Sequence, residues 1–171
     1  MFLGYQINEQ GQEFIAGVAN TREELENNEV VKYTRIEEVS DTYELINGKY
    51  INSAEAFLKA KEDKRKEINR ARDKAEQGGF TYLNKTFDSD LVSSVRIQGA
   101  AQLATQMPMS DTPIIEWTCA DNSKIELTAA ELLGLSAALA NWSNECHKKA
   151  TELKLLVDAA QTKEELDAIK W

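Results

Sequence analysis

The chain has 171 residues, of which 42% are hydrophobic, and a formal net charge of −9. That length suits one domain, or one domain with a small appendage, and allows a real core. The acidic balance works against phosphate binding, and no run reaches the roughly 18 consecutive apolar residues that argue a membrane span.

Charge is unevenly spread. Residues 1–58 carry 4 basic and 11 acidic groups, a net of −7, and residues 77–171 carry 8 and 13, a net of −5. Residues 59–76 carry 8 and 5, a net of +3. Nucleic-acid binding would rest on that stretch alone, "KAKEDKRKEINRARDKAE". It mixes both signs at helical spacing, as in Glu62/Lys66, and reads as a solvated helix face. The opening "MFLGYQINEQGQ" lacks the basic start and apolar block of a signal peptide, so residence in the cytosol is expected. Cys119 and Cys146 read as reduced, buried thiols. With one histidine, His147, and no Cys-x-x-Cys, the four N/S ligands of a structural zinc site cannot be assembled.

Along the chain, "FLGYQI" and "EFIAGV" flank "NEQGQ", a hairpin over residues 2–18 with Gly11 in its turn. Thr21 and Glu24 form a capping box that opens a short helix over about 22–28. "VVKYTRI", residues 30–36, alternates as a strand. "TYELINGKYI" places Asn47-Gly48 between two apolar arms, the pair a type I′ turn favours because both its central residues need positive φ. Near Asn52 the period changes from two to about 3.6, with Asn52 and Glu55 as a further capping pair. The helix that follows runs to Glu76 or Gln77 and stops at Gly78-Gly79. Its apolar stripe is thin, holding Ala54, Phe57, Leu58, Ile68, Ala71 and Ala75, which marks a connector.

After the glycines, "FTYL" and "TF" form a small hairpin around Asn84-Lys85. From Asp90 a helix follows, with Leu91, Val95, Ala100, Ala101, Leu103 and Ala104 as its apolar face, ending before Pro108. "IIEWTCADNSKIELT" is a second hairpin, turning at residues 120–123. Thr128 and Glu131 then open a long helix. Its stripe includes Leu132, Leu135, Leu139, Trp142, Cys146, Ala150, Leu153, Leu156, Val157 and Ala160. Trp142 suits burial inside the domain better than a two-stranded seam, and self-association through this 128–160 helix is the alternative. "TKEE" starts a last short helix with Leu166, Ile169 and Trp171, expected to dock on the long helix or on the 91–104 helix.

No catalytic, cofactor or metal site emerges. Asp88 and Asp90 sit between a strand and a helix, where one of them serves as an N-cap. "DSDLVSSVRIQG" has aspartates at the first and third positions of a calcium loop but lacks its central glycine and closing glutamate. Cys146 and His147 are adjacent on a helix and point about 100° apart, so they cannot face each other across a site. Phosphate loops, dinucleotide glycine patterns and a nucleophile elbow are missing from the sequence.

Three stretches carry a resemblance: "RKEINRARDKAEQGGFTYLNKTFDSDLVS", "IEWTCADNSKIELTAAELLGL" and "LKLLVDAAQTKEELDAIKW". Together, from about Lys64 to Trp171, they resemble a DUF4376-like domain of unknown function found in phage and prophage tail proteins. That resemblance implies a non-enzymatic tail-fibre assembly factor or small tail component, with other tail or tail-fibre proteins as partners and no cofactor. It implies a place in the bacterial host cytoplasm during assembly, or in the virion tail. A tail-tip carbohydrate-binding or hydrolytic module is the rival reading. The expected fold is α+β, with a β-rich module over 1–52, a connector helix over 53–77 and an α+β domain over 78–171. Neither a nucleic acid nor a membrane is expected as a partner.

Overall fold

Residues 2–18 fold back on themselves as read. In a computed structural model describing residues 1–39 and 41–171, β1 (Phe2–Ile7) and β2 (Glu13–Ala19) pair antiparallel. Thr21 caps α1 (Arg22–Glu26): its Oγ1 accepts from the Glu24 N–H at 3.3 Å, and the Glu24 carboxylate accepts from the Thr21 N–H at 3.4 Å. The strand expected over 30–36 is displaced toward the C-terminus. Val30 and Val31 donate their N–H groups to Asn28 Oδ1, an Asx turn that holds this stretch out of a ladder, and Val30 is 92% exposed. Pairing begins with β3 (Arg35–Glu38), which lies antiparallel to β1 in a sheet of order β2-β1-β3. Arg35 fastens that sheet. Its guanidinium lies 4.0 Å from the centre of the Tyr5 ring on β1 and reaches Glu13 on β2 at 2.9 Å.

β4 (Tyr43–Ile46) and β5 (Lys49–Asn52) form the hairpin whose turn Asn47 and Gly48 make, with φ of 51° and 77°. Asn52 Oδ1 then accepts from the N–H groups of Ala54 and Glu55 at the start of α2 (Ser53–Glu76). Among the described residues of α2, Ile68 alone is buried. The chain divides inside this helix into two compact units, Met1–Asp63 and Lys64–Trp171.

The second unit contains the C-terminal half of α2, two small hairpins and three further helices. β6 (Phe80–Tyr82) and β7 (Lys85–Phe87) turn at Leu83 and Asn84, both at positive φ, one residue earlier than the sequence suggested. β8 (Ile115–Thr118) and β9 (Lys124–Leu127) turn where expected, with Asp121 Oδ1 accepting from the Ser123 N–H at 2.9 Å. The hairpins are joined: the Ala120 N–H donates to the Thr86 carbonyl at 2.9 Å and Lys85 Nζ to Ser123 Oγ at 2.9 Å. α3 (Leu91–Ala104) and α4 (Ala129–Ala159) cover them. Thr128 and Glu131 make the capping box of α4, and Thr162 caps α5 (Lys163–Ala168). The architecture is α+β.

The core of this unit gathers Phe80 and Phe87, Trp117 and Leu127 from the hairpins with Leu132 and Leu135 from α4. The stripe on α4 continues inward with Leu139, Cys146, Ala150, Val157 and Ala160 buried. α3 turns inward only the small residues of the face its spacing suggested, together with Ile97, which that reading left out. Ile97, Ala100, Ala101 and Ala104 are buried, whereas Leu91, Val95 and Leu103 are 77%, 61% and 46% exposed. The three alanines let the α3 backbone approach α4 closely, so the small side defines the contact and the bulky side is left outside.

Candidate functional site

Asp90 is an N-cap. Its Oδ1 accepts from the N–H groups of Val92 at 2.9 Å and Ser93 at 3.1 Å, and its Oδ2 accepts from Ser93 Oγ at 2.7 Å. The Ser93 hydroxyl first, then the Ser93 backbone N–H, holds its carboxyl below the usual carboxylate range. Asp88 is exposed beside it. Among the described residues, no group of three or more His, Cys, Asp or Glu side chains could hold a metal ion.

The polar residues that do meet were not paired by the sequence reading. Glu76, at the end of α2, accepts from Ser143 Oγ on α4, and its second oxygen lies 3.5 Å from His147 Nε2. Ser143 and His147 are one helical turn apart, so a single carboxylate spans both. Beside them opens a cleft of about 520 Å³ lined by Glu76, Gln77, Ser89, Ser94, Gln98 and Ser143, with Leu91 and Leu139 at its apolar edge. Like the Ser143 hydroxyl, its other two are already engaged. Ser89 Oγ donates to the Glu76 carbonyl at 2.5 Å and accepts from the Gly79 N–H at 2.9 Å, while Ser94 Oγ donates to the Ser89 carbonyl at 3.1 Å.

A hydroxyl nucleophile is activated when an imidazole stands between it and a carboxylate. Here the order is different: the carboxylate stands in the middle and accepts the Ser143 hydrogen bond directly, and a carboxylate is too weak a base to take a hydroxyl proton. Cys146 does not rescue the arrangement. It is 3% exposed, and burial, then the nearby Glu76 charge, pushes its thiol up, away from the reactive thiolate.

Apolar surface is less committed. A groove of about 520 Å³ runs between the end of α4 and α5, lined by Leu153, Leu156, Ala159, Ala160, Ala168 and Ile169, with Glu165 and Lys170 at its rim. Leu155 and Leu156 are 62% and 55% exposed. The terminal segment docks on α4, with Leu166 and Ile169 buried. Trp171 is half-buried with Lys149 Nζ 4.7 Å from its ring centre, and it shares a small cavity with Ala75, Trp142 and Cys146.

Residues 59–170 match the family model described as a domain of unknown function (DUF4376). The chain belongs to that family. No curated protein and no solved structure matches. The DUF4376 span begins within α2 and takes in both hairpins, α3, α4 and α5, so the cleft, the groove and the exposed side of α3 all lie inside it. No described helix is long and apolar enough to cross a membrane.

Proposed function

We propose that this chain is a non-enzymatic tail-associated protein of a phage or prophage, acting in tail-fibre assembly or as a small tail component. The observation that carries the reading is the contrast between its surfaces. The polar groups around Glu76 bond to one another, while the α4/α5 groove presents uncommitted apolar surface of the kind that takes a partner's side chains. The motifs "GFTYL", "FDSD" and the Trp117 hairpin supply the resemblance to tail proteins, and a tail or tail-fibre protein is the partner. Assembly takes place in the bacterial host cytoplasm.

Co-expression with the neighbouring tail proteins, followed by affinity purification, tests this. The tagged chain recovers a tail protein, and Leu156→Asp, at an exposed groove position, loses it. Recovery of no tail protein would sink the proposal. Presence or absence of the chain in purified virions then separates component from assembly factor.

The Glu76 cleft favours a second reading, a carbohydrate-binding or hydrolytic module of the tail tip, because hydroxyl and amide groups with one carboxylate suit a polyhydroxyl ligand. A saturable change in tryptophan fluorescence on adding host polysaccharide, lost in Glu76→Gln, would establish it in place of the first.

A further inference from the structure

α3 is apolar on both sides. Ile97, Ala100, Ala101 and Ala104 face the core, and on the other side Leu91, Val92, Val95 and Leu103 are 77%, 68%, 61% and 46% exposed. Arg96, Gln98 and Gln102 are exposed on the same half, so the apolar part is a ridge and not a whole face. Large apolar side chains bared together on one helix mark an interaction surface. Residues 91, 95, 99 and 103 follow at four-residue spacing and make a continuous ridge. At its middle Gly99 is open, since a Cβ there would meet nothing within 4 Å. No charge interrupts the ridge. Arg96 is the one charged residue of α3, and its guanidinium lies 5.3 Å from the centre of the Trp117 ring.

We propose that this ridge docks, antiparallel, on the same ridge of a second copy of the chain. Reversing the helix about residue 97 exchanges position 91 with 103 and position 95 with 99. Leu91 of one copy then meets Leu103 of the other, and Val95 fills the space over Gly99. Each contact occurs twice, which is what an isologous twofold interface requires. Charge selects the antiparallel sense. Asp88 and Asp90 sit at the N-terminal end, and a helix of 14 residues is about 21 Å long. Antiparallel packing therefore keeps the two acidic ends apart by more than the screening length of about 8–10 Å, whereas parallel packing would bring four carboxylates together. A ridge without charge also offers nothing to select a differently charged protein, whereas the leucines at its two ends meet each other and Val95 and Gly99 complement each other across the twofold. Met107 and Met109, 37% and 63% exposed just beyond the helix, add adaptable apolar margin. One ridge of this length falls short of the roughly 800 Å² per partner of a standard interface, so the dimer is weak and concentration-dependent. The inference stands on α3 alone and does not depend on the tail reading.

Sedimentation velocity of the full chain between about 5 and 200 μM tests it. The mean sedimentation coefficient rises with concentration, and Val95→Glu raises the dissociation constant about tenfold or more by burying a charge. Gly99→Lys acts likewise. Because position 95 of one copy faces position 99 of the other, mixing the Val95→Glu and Gly99→Lys chains restores association. Both positions are open to solvent, so Val95→Glu melts close to the parent and Gly99→Lys melts at or above it, which circular dichroism checks. A monomer throughout the range overturns the proposal. So does a dimer indifferent to Val95→Glu, which would place the contact on another face, and so does a mixture no tighter than its components.

Discussion

Tyr82 lies against α4 at Gly134, where an added Cβ would collide with the phenolic oxygen and come within 3.0 Å of Cζ. Alanine is a better helix former than glycine by about 1 kcal/mol, so on a free helix surface Gly→Ala stabilises. Here the sign reverses. Gly134→Ala lowers the melting temperature, and Tyr82→Phe in the same chain recovers most of the loss, because the hydroxyl is the nearest obstacle. A Gly134→Ala chain that melts higher than the parent would show that the ring moves aside freely. Asp90 gives a second test at this scale. Its charged form is the hydrogen-bonded form, so its folded pKa lies below its unfolded one. The stabilisation is therefore complete above an unfolded value of about 4 and fades as pH falls through the lower folded value. Asp90→Ala lowers the melting temperature at pH 7 by several degrees and flattens its fall between pH 5 and 3. Asp90→Asn, a comparable cap that does not titrate, flattens the fall without the loss at pH 7. Thermal melts across pH separate the two effects.

Elements differed in how plainly their sequence announced them, and the difference is one of range. Asn47-Gly48, Thr21/Glu24 and Thr128/Glu131 act on backbone groups within three residues, so turn and caps were legible without any knowledge of the tertiary structure. β3 was displaced because Asn28 captures two N–H groups that an alternating pattern alone would assign to a strand. α3 was half read: Ala100, Ala101 and Ala104 are buried as its spacing suggested, but Leu91, Val95 and Leu103 are not. Apolar residues spread over more than one side of the helix, and only the approach of α4 chooses the alanine side. The Glu76–Ser143 bond joins positions 67 apart in the chain, and no local pattern encodes it. The docking of the last helix was legible because its capping box and two apolar residues lie together. Deleting residues 169–171 removes buried Ile169 and the Trp171 contact with Lys149. Differential scanning calorimetry shows that truncated chain melting lower by roughly 4–8 °C. Unchanged melting would show the terminus to be free.

At the scale of the molecule, the two units are unequal. Among the described residues of Met1–Asp63, Leu3 and Leu25 are the buried hydrophobic side chains, whereas Lys64–Trp171 holds a contiguous core from four strands and two helices. Burial scales with size, and a module that buries so little apolar surface lies near the limit of independent stability. Residues 59–171 alone therefore unfold cooperatively with dispersed amide resonances. Residues 1–63 alone give the narrow dispersion of a fluctuating chain. Sharp, dispersed spectra from the short fragment would count against this division of stability.

The two buried thiols give the larger unit a pair of clocks. Cys119, 2% exposed, lies in the hairpin and helix core, and Cys146 lies on α4 beside Trp142 and Trp171. A thiol reagent reaches either only when its surroundings open, so each alkylation rate measures how often that region comes apart. Removing residues 169–171 speeds the reaction of Cys146 and leaves that of Cys119 nearly unchanged. The chain thus reports, through two sulfur atoms and without any added label, which of its seams parts first.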